Sequence, residues 1–234
     1  MFYQCTELTY VDFSNFSFEN MIDVSDMFNY CKKLNTIIFP KNSRSSNIEN
    51  FMEIFAHAES LTSMDLSYFS FLKAKNMAYI FNLCKNLEYI NFLKNEKAEN
   101  LQLLNDMFGV CPNLISLELS SFSFKNVKTL AFMFNGCNRL STLILPKENN
   151  TNSSLQDIKY MFYGYNELTS IDLSGIRFLN VKYLSSKFYE CFNLETLILP
   201  SNETASNVVG FSYMFFRCGK LTSVDLSNIS FINA

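Results

Sequence analysis

Apolar residues recur along this chain in a fixed frame, Met-Phe-x-x-Cys-x-x-Leu, of which residues 27–34 (MFNYCKKL) are one copy. The frame returns every 26 to 28 residues, and its Phe residues define a Phe column: Phe2, Phe28, Phe55, Phe81, Phe108, Phe134, Phe162, Phe188 and Phe215. A fixed period of this length is typical of a solenoid, in which each repeat packs only on its neighbours. The sequence therefore predicts about nine repeats with one continuous core, so that residues 1–234 form a single domain.

The segment before each Phe carries apolar residues at the spacing of a helix. In one copy, positions i, i+3, i+6 and i+7 are Val127, Leu130, Met133 and Phe134, which would lie on one stripe of a helix. An Asn precedes this stripe in six repeats, and Asn is a preferred helix N-cap: these residues are Asn20, Asn47, Asn100, Asn126, Asn180 and Asn207. We therefore expect one short helix per repeat. Lys187 breaks the stripe, and we expect its methylenes to lie along the core edge while its amine reaches water.

The segment after the Leu of the frame alternates between apolar and polar residues. Ile171 and Leu173 are apolar whereas Ser170 and Asp172 are polar, and this period of two predicts a short strand with one buried face. Parallel strands stacked at about 4.8 Å would form a continuous sheet roughly 40 Å long. The predicted fold class is α/β, a horseshoe-like solenoid with one short parallel strand plus one short helix in each repeat of 26–28 residues.

A second period is superimposed on the first. Odd repeats leave the strand through Ser and aromatic residues, as in residues 12–18 (DFSNFSF), whereas even repeats leave it through a Pro in three cases (Pro40, Pro146 and Pro200) and then enter a polar loop. Proline has no amide hydrogen and cannot donate to a strand ladder. The sequence therefore predicts that the true unit is a pair of repeats.

Charge and hydropathy exclude some classes of partner and indicate a fragment. The formal net charge of -3 comes from scattered residues, and the largest basic clusters are pairs such as Lys32 and Lys33, so we expect no nucleic-acid partner. No apolar run approaches the roughly 20 residues that cross a bilayer, so we predict no transmembrane segment in this portion. Both ends fall within a repeat without a polar capping unit, and we expect a solenoid that is uncapped at both ends and part of a longer chain.

Seven cysteines occupy one column of the repeat, three residues after the Phe: Cys5, Cys31, Cys84, Cys111, Cys137, Cys191 and Cys218. Ala58 and Tyr165 fill the column in the other two repeats, and because neither can form half of a disulfide, we interpret the column as buried packing thiols. No CxxC pair of the kind found in zinc sites occurs. His57 is the only histidine, and no nucleophile and base are paired with it. We predict no catalytic residue, no metal and no cofactor.

The frame of residues 114–140, with its Leu-x-Leu-Ser, Asn-Val, Met-Phe and Cys-x-x-Leu steps, resembles the BspA-type leucine-rich repeat and a related bacterial surface-protein repeat of about 25 residues. Even copies with Leu-x-x-Leu-Ile-Leu-Pro resemble the Ile-Pro variant of BspA-like proteins of bacteria and parasitic protists. The resemblance covers the whole chain. It implies a leucine-rich-repeat solenoid, commonly displayed at a cell surface and used in adhesion or protein recognition.

Two ladders of outward residues are expected on the strands. The first consists of Tyr10, Thr36, Ser63, Tyr89, Ser116, Thr142, Ser170, Thr196 and Ser223, and the second of Asp12, Ile38, Asp65, Asn91, Glu118, Ile144, Asp172, Ile198 and Asp225. The acids of the second ladder are either a solubility device that discourages pairing between sheet edges or part of a recognition face that attracts a basic protein. The candidate protein-binding residues are Tyr10, Asp12, Ile38, Asp65, Tyr89, Glu118, Ile144, Asp172, Ile198 and Asp225.

The leading functional hypothesis is a non-enzymatic protein-recognition or adhesion module of a cell-surface or secreted leucine-rich-repeat protein, which binds through the strands and adjacent loops. The alternative is an intracellular scaffold or assembly component, located in the cytoplasm. Asn149, Asn152 and Asn202 are candidate N-glycosylation sites on the even-repeat loops, although several such sequons arise by chance in an Asn- and Ser-rich chain. A glycan at one of them would favour the cell-surface hypothesis.

Overall fold

The computed structural model describes residues 1–40, 45–94, 96–147, 154–200 and 207–227, which form a β-solenoid of stacked turns. Each of eight successive turns carries one strand of three residues: β1 (Tyr10–Asp12), β2 (Thr36–Ile38), β3 (Ser63–Asp65), β4 (Tyr89–Asn91), β5 (Ser116–Glu118), β6 (Thr142–Ile144), β7 (Ser170–Asp172) and β8 (Thr196–Ile198). The middle residue of each strand is the one that points to the core. A ninth strand was expected at residues 223–225, but that described segment is not a strand.

The strands pair two by two, so the expectation of one continuous sheet is wrong. β1 pairs with β2, β3 with β4, β5 with β6 and β7 with β8, each in parallel register. Each pair joins an odd repeat to the even repeat that begins 26 residues later, whereas 27 or 28 residues separate an even strand from the next odd strand. The extra residues and the polar loop after each even strand thus coincide with the breaks between pairs.

The predicted helices are also wrong, because the segment before each Phe is a series of β-turns and none of the described residues is helical. In the second repeat, the Met27 amide donates to the Val24 carbonyl at 3.3 Å before the Phe, and the Cys31 amide donates to the Phe28 carbonyl at 3.0 Å after it. Consecutive turns of this kind return a side chain to the core every three residues. They therefore reproduce the apolar spacing that a helix would show.

The segments around each Phe form one edge of the solenoid, here called the turn edge, and alternate amides within it link each repeat to the next. The amides of Asp26, Phe28 and Tyr30 donate to carbonyls of the following repeat at 3.0, 2.9 and 2.9 Å, and the same pattern recurs along the stack, always toward higher residue numbers. The arrangement requires left-handed backbone two residues before and two residues after the Phe. The non-glycine residues at these positions have φ between 50° and 62°, and the cost of that conformation is offset by the inter-repeat hydrogen bonds.

Gly136 tests this backbone requirement, because it occupies the left-handed position after Phe134 with φ of +73°. A Cβ added there would lie 3.5 Å from its nearest neighbour, an atom of Val110, which is ordinary van der Waals contact. We expect Gly136→Ala to lower the free energy of unfolding by about 1–2 kcal/mol through backbone strain alone, as measured by urea denaturation. Gly219, where an added Cβ meets nothing within 4 Å, supplies the control: Gly219→Ala should be neutral or slightly stabilising. Equal losses at both sites would contradict the prediction.

The Phe column is the axis of the core. Its nine rings stack one on the next, with successive centroids 5.4–6.0 Å apart and interplanar angles of no more than 25°. Every ring from Phe28 to Phe188 is at most 1% exposed. The column predicted from the frame is therefore a continuous aromatic stack.

The cysteine column lies beside the Phe column and is hydrogen-bonded to it. Five of the seven thiols are buried, and each donates to the carbonyl of the Phe of an earlier repeat at 3.0–3.1 Å: Cys31, Cys84, Cys111, Cys137 and Cys191. The expectation of a buried thiol is wrong for Cys5, which is exposed, and holds only in part for Cys218, which is half-buried. The Tyr165 hydroxyl makes the same bond to the Phe134 carbonyl at 3.0 Å, which explains how Tyr substitutes for Cys. Burial raises the pKa of the Cys137 thiol to about 12. Thiols held protonated in this way are poor nucleophiles and metal ligands, which is consistent with a packing role.

Two further expectations are corrected by the core. Lys187 does not reach water: its side chain is buried, and its amine donates to the Ile158 carbonyl at 2.5 Å. Four of the six Asn residues that were expected to cap helices instead connect repeats. The side-chain amides of Asn47, Asn100, Asn126 and Asn207 donate at 2.6–2.9 Å to backbone carbonyls of the preceding repeat.

Candidate protein-recognition face

The outward residues of the strands form one surface, here called the strand face. Its apolar members are well exposed: Tyr10, Tyr89, Ile144 and Ile198 are 42–51% exposed, and Ile38 is 36% exposed. Strand register places Asp12 beside Ile38 and Glu118 beside Ile144. An acidic side chain lies beside an Ile in three of the four strand pairs, whereas β3–β4 places Asp65 beside Asn91. The acid–Ile pairs can contact the charge and the methylenes of a basic side chain together.

The acids of the strand face also have a local structural role that the sequence interpretation missed. The carboxylates of Asp12, Asp65, Glu118, Asp172 and Asp225 each accept a hydrogen bond, at 2.7–3.1 Å, from the amide of the Ser two residues later. This bond lowers the pKa of Asp12. The repeated Asp-x-Ser in the sequence is the signal for these turns. These carboxylates therefore stabilise the turns at the strand ends in addition to any contact with a partner.

A groove opens on the strand face between β2 and β3. Its volume is about 680 Å³, within the range of about 300–1,000 Å³ that ligand sites occupy. The apolar part of the lining includes Ile37, Phe39 and Met64, and the outward rim includes Ser63 and Asp65. The groove thus has the apolar residues Ile37 and Met64 at its floor and a carboxylate at one side of its mouth, within a lining that is polar over most of its surface.

The other two junctions between strand pairs carry different contacts. At β6–β7, the Lys147 amine lies 3.2 Å from a carboxylate oxygen of Asp172. Gly175 packs so closely on Pro146 that an added Cβ would lie 2.1 Å from the proline carbonyl oxygen. At β4–β5, the Ile115 amide donates to the Glu88 carbonyl at 3.1 Å, and the two strands lie closer together than β2 and β3.

The described residues show no grouping suited to a metal, since no three His, Cys, Asp or Glu side chains among them are placed to share an ion. His57 stacks on Tyr30 with ring centroids 3.9 Å apart, and burial lowers its pKa. Across the described ranges, no helix long and apolar enough to span a membrane is found. The candidate glycosylation sites Asn149, Asn152 and Asn202 lie outside the described residues.

The parallel strands, the 26–28-residue period and the single axial core define a repeat protein of the β-solenoid class. Residues 1–116 and 102–230 match the family described as "Mycoplasma protein of unknown function, DUF285". The chain belongs to this family. No curated protein matches it.

Several solved structures are similar to this chain. A leucine-rich repeat protein from Bacteroides ovatus has 17% identity and a TM-score of 0.43, over 96% of this chain and 68% of that one. The leucine-rich repeat protein of T. pallidum has 19% identity and a TM-score of 0.33, over 95% and 69% of the two chains. A leucine-rich cell surface protein from Faecalibacterium prausnitzii has 13% identity and a TM-score of 0.24, over 94% and 84%.

Proposed function

We propose that this protein is a non-enzymatic recognition module that binds protein partners through the strand face and the loops beside it. The observation that carries the proposal is the strand face itself, where exposed Ile and Tyr side chains lie among carboxylates. Isolated exposed apolar residues are ordinary on protein surfaces. Here they recur at the same strand position at Ile38, Ile144 and Ile198, and this recurrence supports a binding surface that extends over several repeats.

The proposal includes a basic partner, and a location at the cell surface or outside the cell as part of a BspA-like leucine-rich-repeat protein. The carboxylates of Asp12, Asp65 and Glu118 favour such a partner by charge complementarity. The bacterial surface resemblance of the repeat supports the location. Antibody labelling of intact cells tests it: labelling that requires permeabilised cells would instead indicate the intracellular scaffold.

Binding through the strand face can be tested with peptides selected from a random displayed library on the purified chain. We expect the triple variant Ile38→Ser, Ile144→Ser and Ile198→Ser to weaken the selected peptides at least tenfold, which corresponds to about 1.4 kcal/mol. We also expect Lys and Arg to be enriched in them. Exposed substitutions of this kind should change stability by no more than about 0.5 kcal/mol each, so circular dichroism should show an unchanged fold.

The matched control lies on the turn edge, where Tyr183 and Tyr213 are 50% and 65% exposed. The variant Tyr183→Ser with Tyr213→Ser should bind the selected peptides as the unmodified chain does. Peptides that lose affinity only for the turn-edge variant would overturn the proposal. The charge contribution is tested with Asp65→Asn, which keeps a side-chain acceptor for the Ser67 amide while removing the negative charge.

A further inference from the structure

The strands that border the groove have backbone groups with no strand partner. In a parallel ladder, alternate residues of a strand direct their amide and carbonyl to the same neighbour. The Phe13 amide donates to the Ile38 carbonyl at 2.8 Å, so the backbone amide and carbonyl of Ile38 point toward β1. The backbone amide and carbonyl of Ile37 therefore point in the opposite direction, toward β3.

The facing edge of β3 is open in the same manner. The Leu66 amide donates to the Asn91 carbonyl at 2.8 Å, so β4 is bonded to the edge that bears Met64 and Leu66. Ser63 and Asp65 consequently direct their backbone groups toward β2. A regular junction would bond Ile37 to Ser63 and Asp65, and none of these described residues makes that bond. Two complementary strand edges thus face each other across the groove.

The side chains around the groove specify what could lie between these edges. Inward-pointing residues of an inserted strand would meet the apolar floor at Ile37 and Met64. An outward residue would lie between Ile38, which offers aliphatic contact, and the Asp65 carboxylate. That carboxylate accepts hydrogen bonds from the Ser67 amide and from the Asn91 side chain, both at 3.0 Å, so it is held at the rim of the groove.

We propose that an extended segment of a protein partner inserts between β2 and β3 as an additional strand and joins the two strand pairs into one sheet. The segment carries an apolar residue, which points to the floor, followed or preceded by a Lys or Arg beside Asp65. Strand addition to an open sheet edge takes its affinity from main-chain hydrogen bonds and its specificity from alternate side chains. This inference rests on the proposed function, since it names the chemistry of the segment that the strand face would bind.

The probe is a blocked seven-residue peptide, Ser-Thr-Thr-Ile-Lys-Thr-Ser, mixed with the full 234-residue chain. Binding is measured by fluorescence anisotropy of a labelled copy. We expect saturable binding that weakens at least tenfold when the Ile amide is N-methylated, because that change removes a main-chain donor. Replacing the peptide Lys by Glu should weaken binding by a similar factor, and Asp65→Asn in the protein should reduce the difference between the Lys and Glu peptides.

Hydrogen exchange locates the peptide without any substitution in the protein. The peptide should slow amide exchange in residues 35–40 and 61–66 while leaving the β6–β7 junction, residues 141–146 and 168–173, unchanged. Binding that protects neither border of the groove, or that is indifferent to N-methylation, would overturn the proposal. Protection that rises with protein concentration in the absence of peptide would assign the groove to a second copy of this chain, and would overturn it as well.

Failure of this proposal is distinguishable from failure of the proposed function. If library-selected peptides lose affinity for the triple Ile variant but never protect residues 35–40 and 61–66, the strand face binds protein and strand insertion is refuted. If no peptide depends on the strand face, the proposed function itself fails.

Discussion

Replacing Phe108 by Ala is expected to lower the free energy of unfolding by about 3–5 kcal/mol, the largest loss among the substitutions considered for this protein. Phe108 is fully buried at the middle of the Phe column, with ring centroids 6.0 Å from Phe81 and 5.9 Å from Phe134. Its removal leaves a cavity and breaks three aromatic contacts, the third being with Phe92 at 6.4 Å. Each such contact contributes about 0.5–1.5 kcal/mol beyond the burial of apolar area. In a stack of about this length the midpoint of thermal unfolding should fall by roughly 6–20 °C.

Because a solenoid is stabilised by contacts between neighbouring repeats, the same substitution should also weaken the coupling between the two halves of the stack. Denaturant unfolding monitored by circular dichroism should become broader as well as less stable. Phe192, which is 43% exposed, provides a control of identical chemistry, and Phe192→Ala should change stability by no more than about 0.5 kcal/mol. A similar loss at Phe108 and Phe192 would contradict the role assigned to the column.

Lys187→Met is expected to have the second largest effect and the opposite sign, raising the free energy of unfolding by about 1–3 kcal/mol. Lys187 occupies a column that is otherwise apolar, with Met at Met133, Met161 and Met214. Burial is the main cause that lowers the pKa of Lys187; Lys159 lowers it further, and Asp157 acts in the opposite direction. Met removes the desolvated ammonium group, and the expected gain is limited because the Ile158 carbonyl loses its hydrogen bond.

The stability of the unmodified protein should depend on pH through Lys187. Since the pKa of this lysine is lower in the folded state than its value of about 10.4 in the unfolded chain, the unfolded chain binds more protons between the two values. Stability from this group therefore rises with pH across that interval. Buried thiols, whose pKa is raised, act in the opposite sense above about pH 8.5, so the measured quantity is the difference between variant and unmodified protein.

We expect that difference to shrink as pH increases from 7 toward 10, as urea unfolding at a series of pH values would show. Lys182 is exposed, so Lys182→Met removes one positive charge without relieving burial. This control should leave both the stability and its pH dependence nearly unchanged. A gain from Lys187→Met that is constant over the whole pH range would contradict a buried, destabilised amine.

The core could be predicted from the sequence because its side chains recur at a period that only stacking explains. The Phe column, the buried thiols and the positions of eight strands follow from residues such as Phe108, Cys111 and Leu117. The turn edge could not be assigned correctly, because β-turns and helices both return an apolar side chain after three residues. Nothing in the side chains of Tyr30 or Val110 predicts left-handed backbone, since β-branched and bulky residues disfavour it.

The structure of the strand face could be predicted only in part from the sequence. Alternation of polar and apolar residues correctly placed Ile144 and Asp172 on the outside, and the Asp-x-Ser repeats were present as a signal for the turns that the acids close. The sheet is interrupted between strand pairs because facing residues of the described segments, such as Ile37 and Ser63, are not hydrogen-bonded to each other. The number of residues between repeats indicated where one strand pair ends and the next begins. It did not indicate that the sheet opens there, because the number of connecting residues does not determine the distance between two strands.

The amides that flank each Phe all donate in the same direction, which gives this row of hydrogen bonds an electrical polarity. Amides at residues such as Phe28 and Phe55 point toward higher-numbered repeats, and the carbonyls that accept from them point back. Peptide dipoles aligned in this way add along an axis, so the positive pole lies at the higher-numbered repeats. An α-helix has the reverse sense, with its positive pole at the amino end. Where two such rows meet end to end, their dipoles therefore attract head to tail and repel head to head.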